Sequence, residues 1–317
     1  MSHISSITRL RFRQIRFLAK TLEHLSCHSQ SRKILAALGS NSLLDHCLSG
    51  FRRTFSSFEE ARLHAGKYRV PSHEHPDNIS IHSYRTEEVR ESDYPVLFHM
   101  QRLMGEVNSV LDIGGSIGNL FYGYSKYLSY PPGMTWTVCE VPDTIIAGSH
   151  LAQQRNEHRL RFVERIQDCD AVDAVIISGA LHYFEQLPPA LIEGLRRQPR
   201  HVFINRTPVI YGPSAFTIQD HEQYFAISPA RVLSHEVLLE AMYRAGYELV
   251  DEWKANELRL HIPLHPEASV SAYSGFYFRM KQAGAVRHPQ PTREILKRVM
   301  STRRTSRRIA GVAVHSG

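Results

Sequence analysis

Asn108-Ser-Val-Leu-Asp-Ile-Gly-Gly-Ser-Ile-Gly-Asn119 decides the fold of this chain. Val110, Leu111 and Ile113 form the short apolar run of a parallel strand buried on both faces. Gly114, Gly115 and Gly118 then allow φ > 0 or a close backbone approach, and Leu120-Phe-Tyr-Gly-Tyr-Ser-Lys-Tyr-Leu128 continues as a helix whose N-terminus would face a ligand. Strand, glycine turn and helix in this order mark the cofactor end of an α/β sheet.

Spacing separates three loops of this kind. A P-loop needs a lysine directly after its last glycine, and no lysine follows Gly118 until Lys126. The nicotinamide fingerprint Gly-x-Gly-x-x-Gly is also missed, since Gly114 is followed two places on by Ser116 and Gly115 by Ile117. What remains is Asp112-x-Gly114-x-Ser116-x-Gly118, with a second acid, Glu140, closing the next apolar strand Trp136-Thr-Val-Cys-Glu140.

This pattern resembles the class I S-adenosylmethionine-dependent methyltransferases. The resemblance implies a doubly wound, Rossmann-like α/β sheet of seven strands with the last one antiparallel, S-adenosyl-L-methionine as cofactor, and no metal. It makes Asp112 the loop acid, Gly114 and Gly118 the outer glycines, and Glu140 the acceptor for the two ribose hydroxyls, a role suited to an acceptor-only carboxylate. Ser116 stands where the family usually has its middle glycine, with Gly115 beside it as the residue available to compensate.

The alternation continues downstream. A helix is expected over 145–157, strands over Arg161–Val163, Asp173–Ser178 and His201–Asn205, and a helix over Leu187–Arg197. Ser234 should cap a helix over Glu236–Ala245 that Gly246 ends, before strands at Glu248–Trp253 and Ser274–Lys281. Ligands of such sheets lie beyond the carboxyl ends of the strands. In the resemblance, Ile177-Ser-Gly-Ala-Leu-His-Tyr-Phe184 passes the methionine end of the cofactor, so Ser178 and Gly179 are cofactor neighbours. The connection after Asn205, Arg206 and Thr207 is irregular and aromatic-rich; Arg206, Tyr211, Gln219 and Tyr224 are taken as its substrate-facing residues. For a hydroxyl acceptor an unperturbed histidine is a suitable base. His221, which Asp220 could orient, is preferred to His182, whose neighbours Leu181, Tyr183 and Phe184 read as packing residues.

Upstream, residues 34–104 read as a mostly helical cap, with segments at Arg32–Leu38, Ser42–Phe51 and Ser57–Lys67, a capping box at Ser56-Ser-Phe-Glu59, and a helix from Tyr94 to Met104. His73 and His75, in a proline-bounded loop, have no partner at metal-ligand spacing. The span 57–281 is also similar to a poorly characterised bacterial methyltransferase family linked to surface polysaccharide, on Ser57-Phe-Glu-Glu-Ala61, Tyr68, Leu111–Gly118, Glu140-Val-Pro142 and Tyr273-Ser-Gly275. That resemblance suggests a saccharide as the small-molecule acceptor.

At 317 residues there is room for one α/β domain, 105–284, with additions. The net charge of +7 is concentrated at the ends: residues 1–33 carry +6 and 287–317 carry +7, which leaves −6 for 34–286. Basic ends on an acidic body argue against a nucleic-acid substrate, which would call for a basic cleft on the folded domain. The extension 1–33 has an apolar stripe at Ile15, Leu18, Leu22 and Leu25 among arginines; docking on the body or fraying comes first, peripheral membrane contact second, an organelle transit signal last. The basic end 285–317 reads as disordered. No apolar run approaches the ~18–20 residues that span a bilayer, and Cys27, Cys47, Cys139 and Cys169 show no Cys-x-x-Cys pairing, so a soluble cytoplasmic protein without zinc or disulfides is expected. Two other functions stay open: a catalytically degenerate domain that binds the cofactor or a partner, and a nicotinamide-dependent oxidoreductase.

Overall fold

The computed structural model describes residues 50–66, 86–221, 226–263 and 265–281. The amphipathic stripe of residues 15–25, the helical segments before residue 50, His73, His75, Tyr224 and the basic end 285–317 lie outside the described residues.

The chain enters as a strand, β1 (Gly50–Phe55), and a helix, α1 (Phe58–Gly66). Ser57 caps α1 by accepting from the Glu60 N–H, and the Glu60 carboxylate reaches back to the backbone N–H and hydroxyl of Ser56. The cap therefore sits one residue later than the sequence pattern suggested, and the returning carboxylate bonds Ser56 instead of the backbone N–H of the capping Ser57. Helix α2 (Asp93–Leu103) leads to β2 (Ser109–Ile113), then α3 (Asn119–Tyr124), β3 (Thr135–Cys139), α4 (Pro142–Gln154), β4 (Leu160–Val163), β5 (Ala174–Ser178), α5 (Pro188–Ile192) and β6 (His201–Thr207). Three strands follow, β7 (Val209–Ile210), β8 (Ala215–His221) and β9 (Ala226–Ser234), and the described chain ends with α6 (His235–Arg244), β10 (Tyr247–Ala255) and β11 (Tyr273–Met280).

Seven of these strands form one sheet in the order β10-β11-β6-β5-β2-β3-β4. The pairs β4–β3, β3–β2, β2–β5 and β5–β6 are parallel, while β11 runs antiparallel to both β6 and β10. The chain order reverses at β2, so the switch point falls between β2 and β5, where the glycine loop emerges. Alternate strand residues feed two cores. Val110, Trp136, Ile176, Phe203 and Tyr277 pack with Val96, Leu97 and Met100 of α2 and with α3, whereas Leu111, Ile113, Val175, Ile204 and Phe276 pack with Ile192, Leu238 and Met242 of α5 and α6. The Ser234 hydroxyl accepts from Val237 N–H at the start of α6, and Gly246 ends that helix at φ 89°, as expected.

Three expectations are corrected. Gly50 and Phe51, expected at the end of a helix, belong to β1. The connection expected to be irregular is a β8–β9 hairpin, and with β1 and β7 it forms a second sheet in the order β1-β8-β9-β7. Helix α2, which lies within the span read as a cap, contributes Val96, Leu97 and Met100 to the same core as Val110 and Phe203. The polar content of β1 (Arg52, Arg53) and β8 (Gln219, Asp220) hides the strand period, and Pro229 inside β9 argues against a strand on composition alone. The expected helix over Leu187–Arg197 is also shorter, ending at Ile192.

Candidate active site

The glycine loop is built by steric exclusion and one carboxylate. Gly114 has φ 72°, and a Cβ there would sit 2.5 Å from the Cβ of Ala180, so only glycine lets the turn after β2 pass the turn after β5. At Gly115 a Cβ would meet the Asp112 carboxyl at 2.4 Å. Gly115 thus makes room for the acid below it and does not replace the middle glycine. Ser116 does that, adopting the left-handed conformation (φ 57°) at a cost of about 1 kcal/mol. Its N–H donates to Glu140 Oε1 at 3.0 Å, and the Val141 N–H donates to Oε2 at 3.0 Å. Gly118, with φ 94°, turns the chain into α3. Asp112, Gly114, Gly115, Ser116, Gly118 and Glu140 are therefore assembled together beyond the carboxyl ends of β2 and β3.

Asp112 is fully buried. Trp136 Nε1 donates to its Oδ2 at 3.3 Å, and its Oδ1 has no hydrogen-bond partner. Burial pushes the acid up to about 7, against the lowering by Trp136; the charges of Glu140 and Asp93 raise it further and Arg206 lowers it. Burial likewise raises Glu140, with the two backbone N–H groups working against it. Ser178 is part-buried at the end of β5, its Oγ without a partner, and Gly179 N–H donates to Asn205 O at 2.9 Å.

A second cluster, centred on Asp93, has no signal in the sequence. Asp93, the first residue of α2, is fully buried and accepts four hydrogen bonds: from Tyr124 Oη at 2.9 Å, Asn205 Nδ2 at 3.2 Å, Arg206 Nη1 at 2.9 Å and Arg90 N at 3.0 Å. Consecutive strand residues point to opposite faces, so Asn205 and Arg206 could not both reach one carboxylate from a regular strand. They reach it because β6 bulges there. Ile204 pairs with Phe276 and Thr207 with Ser274, which leaves one extra residue on β6, and Arg206 takes φ 53°. Trp253 Nε1, donating to Asn205 Oδ1 at 3.0 Å, fixes the amide.

A third group lies under the second sheet. The ring of Tyr183, in the turn after β5, lies 4.0 Å from that of His182 and 6.1 Å from that of His221, and its hydroxyl donates to Gln219 Oε1. His182 is 4 % exposed and packs against Tyr273 and Phe51. His221 is part-buried, with Nε2 3.2 Å from Ser228 Oγ. Asp220, the preceding residue on β8, pairs with Arg52 of β1 at 3.1 Å. The structure thus brings His182, Gln219 and His221 around Tyr183. Tyr211 is not among them; it is exposed, with its ring 4.7 Å from that of His235. Among the described residues no group of three or more His, Cys, Asp or Glu is placed to hold a metal ion, and no helix is long and apolar enough to cross a membrane.

No protein-family model and no curated protein matches the sequence. Among solved structures, a 1,6-didemethyltoxoflavin-N1-methyltransferase of Burkholderia thailandensis, crystallised with 1,6-didemethyltoxoflavin and S-adenosylhomocysteine, is 21% identical over 61% of this chain and 80% of its own, at a TM-score of 0.38. A S-adenosylmethionine-dependent methyltransferase from Clostridium acetobutylicum is 8% identical over 65% of this chain and 99% of its own, at 0.44. The glycopeptide N-methyltransferase MtfA, complexed with sinefungin, is 10% identical over 61% of this chain and 88% of its own, at 0.41. Their ligands and substrates are properties of those proteins.

Proposed function

We propose that this chain transfers a methyl group from S-adenosylmethionine to an oxygen or nitrogen of a small acceptor. The observation that carries the reading is the hydrogen bond from Ser116 N–H to Glu140, which ties the glycine loop to the carboxylate at the end of β3. A carboxylate has about four acceptor sites. Two are used by backbone N–H groups, which leaves acceptor capacity for a vicinal diol.

Charge supports this cofactor over a dinucleotide. Glu140, Asp93 and Arg206 all act on Asp112, so three carboxylates and one guanidinium share this end of the sheet. A pyrophosphate would meet net negative charge there, whereas a sulfonium and an ammonium would be attracted. When bound, the cofactor supplies a methyl group already activated on positive sulfur. The protein's part is to hold two reactants in line, exclude water and accept the acceptor's proton. His221 is the base in this reading, because it is part-buried beside Ser228 while His182 is packed among aromatic rings. The acceptor in this reading is a saccharide hydroxyl, on the resemblance to the polysaccharide-linked family, with the Tyr183 ring and the Gln219 amide as the groups that would meet it.

Calorimetry with S-adenosylhomocysteine and with NAD is the test. Binding of the first alone is expected, and Glu140→Gln should weaken it by about 1.5–3 kcal/mol, the range for hydrogen bonds to a charged group. Binding of NAD in place of S-adenosylhomocysteine overturns the reading. For the base, His221→Ala should lose ~10²-fold in turnover with cofactor affinity kept; near-normal turnover removes His221 from that role.

A further inference from the structure

Arg206 has more donors than the protein uses. A guanidinium carries five N–H groups in a planar fork. Only Nη1 is bonded among the described residues, to Asp93, although the residue is just 9 % exposed. Nε and Nη2 form the side-on edge whose two parallel donors match a carboxylate. Gly179 lies beside that edge and adds no side chain to it; a Cβ there would lie 3.9 Å from Arg206 Nε.

The backbone shows that this placement is held against resistance. A left-handed arginine at a bulge and a buried ion pair each carry a free-energy cost, and such features gather where a side chain must be aimed. The aim is towards the switch point. Gly179, beside Arg206 Nε, is followed by Ala180, whose methyl abuts Gly114 of the loop. Acidic groups on the loop side and an arginine edge on the β6 side suit a ligand end carrying both an ammonium and a carboxylate.

Resting on the cofactor reading above, we propose that the Nε–Nη2 edge of Arg206, fixed by Asp93 through the β6 bulge, holds the α-carboxylate at the amino-acid end of S-adenosylmethionine. Asp93 is a positioning residue in this arrangement and Arg206 the contact. The test compares the affinities of the full-length protein for S-adenosylmethionine and for decarboxylated S-adenosylmethionine, which differ only in that carboxylate. The wild type should prefer the first by tenfold or more. Arg206→Lys keeps a cation for Asp93 but loses the fork, and Arg206→Met with Asp93→Asn removes the pair without leaving a buried charge. Both variants should bring the ratio close to one with affinity for the decarboxylated compound little changed. Equal affinities in the wild type overturn the proposal while leaving the cofactor reading intact, and would make an acidic acceptor the better occupant. A ratio that persists in folded variants, or a loss of both ligands alike, also overturns it. Failure of the wild type to bind either compound instead sinks the cofactor reading, and this inference with it.

Discussion

Asp112 is where the physics of a single residue is most exposed. An aspartic acid ordinarily titrates near 3.9, and burial holds this one up to about 7. Its folded-state value lies above its unfolded one, so the folded protein holds this proton more tightly than the unfolded chain does. The resulting stability is fully present below about pH 4 and is lost as pH rises through about 7. Asp112→Asn keeps an oxygen for Trp136 Nε1 and carries no charge to desolvate. The variant should therefore show a smaller fall in Tm between pH 5 and pH 8 than the wild type, read by scanning calorimetry; parallel curves would mean that Asp112 does not titrate in this window. A cation bound above the loop favours the ionised form, so affinity for S-adenosylmethionine should rise from pH 6 to pH 8 in the wild type and stay flat in Asp112→Asn. Ser116 gives a second case. Its contribution to Glu140 is a backbone N–H, which glycine would also provide. Relief of the left-handed strain, about 1 kcal/mol, and the extra chain entropy of glycine, about 0.5–1 kcal/mol, nearly cancel. Ser116→Gly should leave stability and S-adenosylhomocysteine binding almost unchanged, while Ser116→Val should damage both, because a β-branched residue resists positive φ. If Val is tolerated, the loop path differs from the one described.

Elements differ in how plainly the sequence announces them. β2, β5 and β6 are apolar runs buried almost throughout, and Asp112 and Glu140 stand at or just after the ends of β2 and β3, so the parallel sheet and its glycine loop were legible without coordinates. The Asp93 cluster was not. Asp93 and Arg206 are 113 positions apart and meet only because a bulge turns one strand residue onto its neighbour's face, an event with no local signature. The second sheet was hidden for another reason. Its strands carry charge inward: Arg52 on β1 and Asp220 on β8 are both about nine-tenths buried and 3.1 Å apart. Removing one member of such a pair costs about 3–5 kcal/mol because its partner keeps its desolvation penalty, whereas replacing both with apolar groups is often neutral. Arg52→Met should accordingly open the β1–β8 pairing to hydrogen exchange, and adding Asp220→Leu should restore most of the lost protection. Equal exchange in the single and double variants would show that the ion pair does not hold β1 to the hairpin.

At the scale of the molecule, the order of strands decides what the end of the chain can matter to. The last described strand, β11, is not an edge: it lies between β10 and β6, and Met280, its final residue, pairs with Tyr247. Among the described residues the seven strands of this sheet all lie within residues 109–280, and the residues that make up its two cores lie at or before Met280. That stretch instead dominates the charge. Residues 288–317 carry seven Lys/Arg and one acid, so their removal takes the formal net charge from +7 to +1. A run of charge of one sign strengthens long-range attraction to anionic surfaces, and such attraction fades with salt over a Debye length of about 10 Å at 0.1 M. We expect a chain ending at residue 287 to melt in one cooperative transition at an unchanged temperature and to bind S-adenosylhomocysteine as before. Its sedimentation with vesicles rich in anionic lipid, measured at low salt, should fall well below that of the full chain. A lowered or broadened melt would place residues after 287 within the cooperative fold, and unchanged sedimentation would assign any surface attraction to the basic residues 1–33.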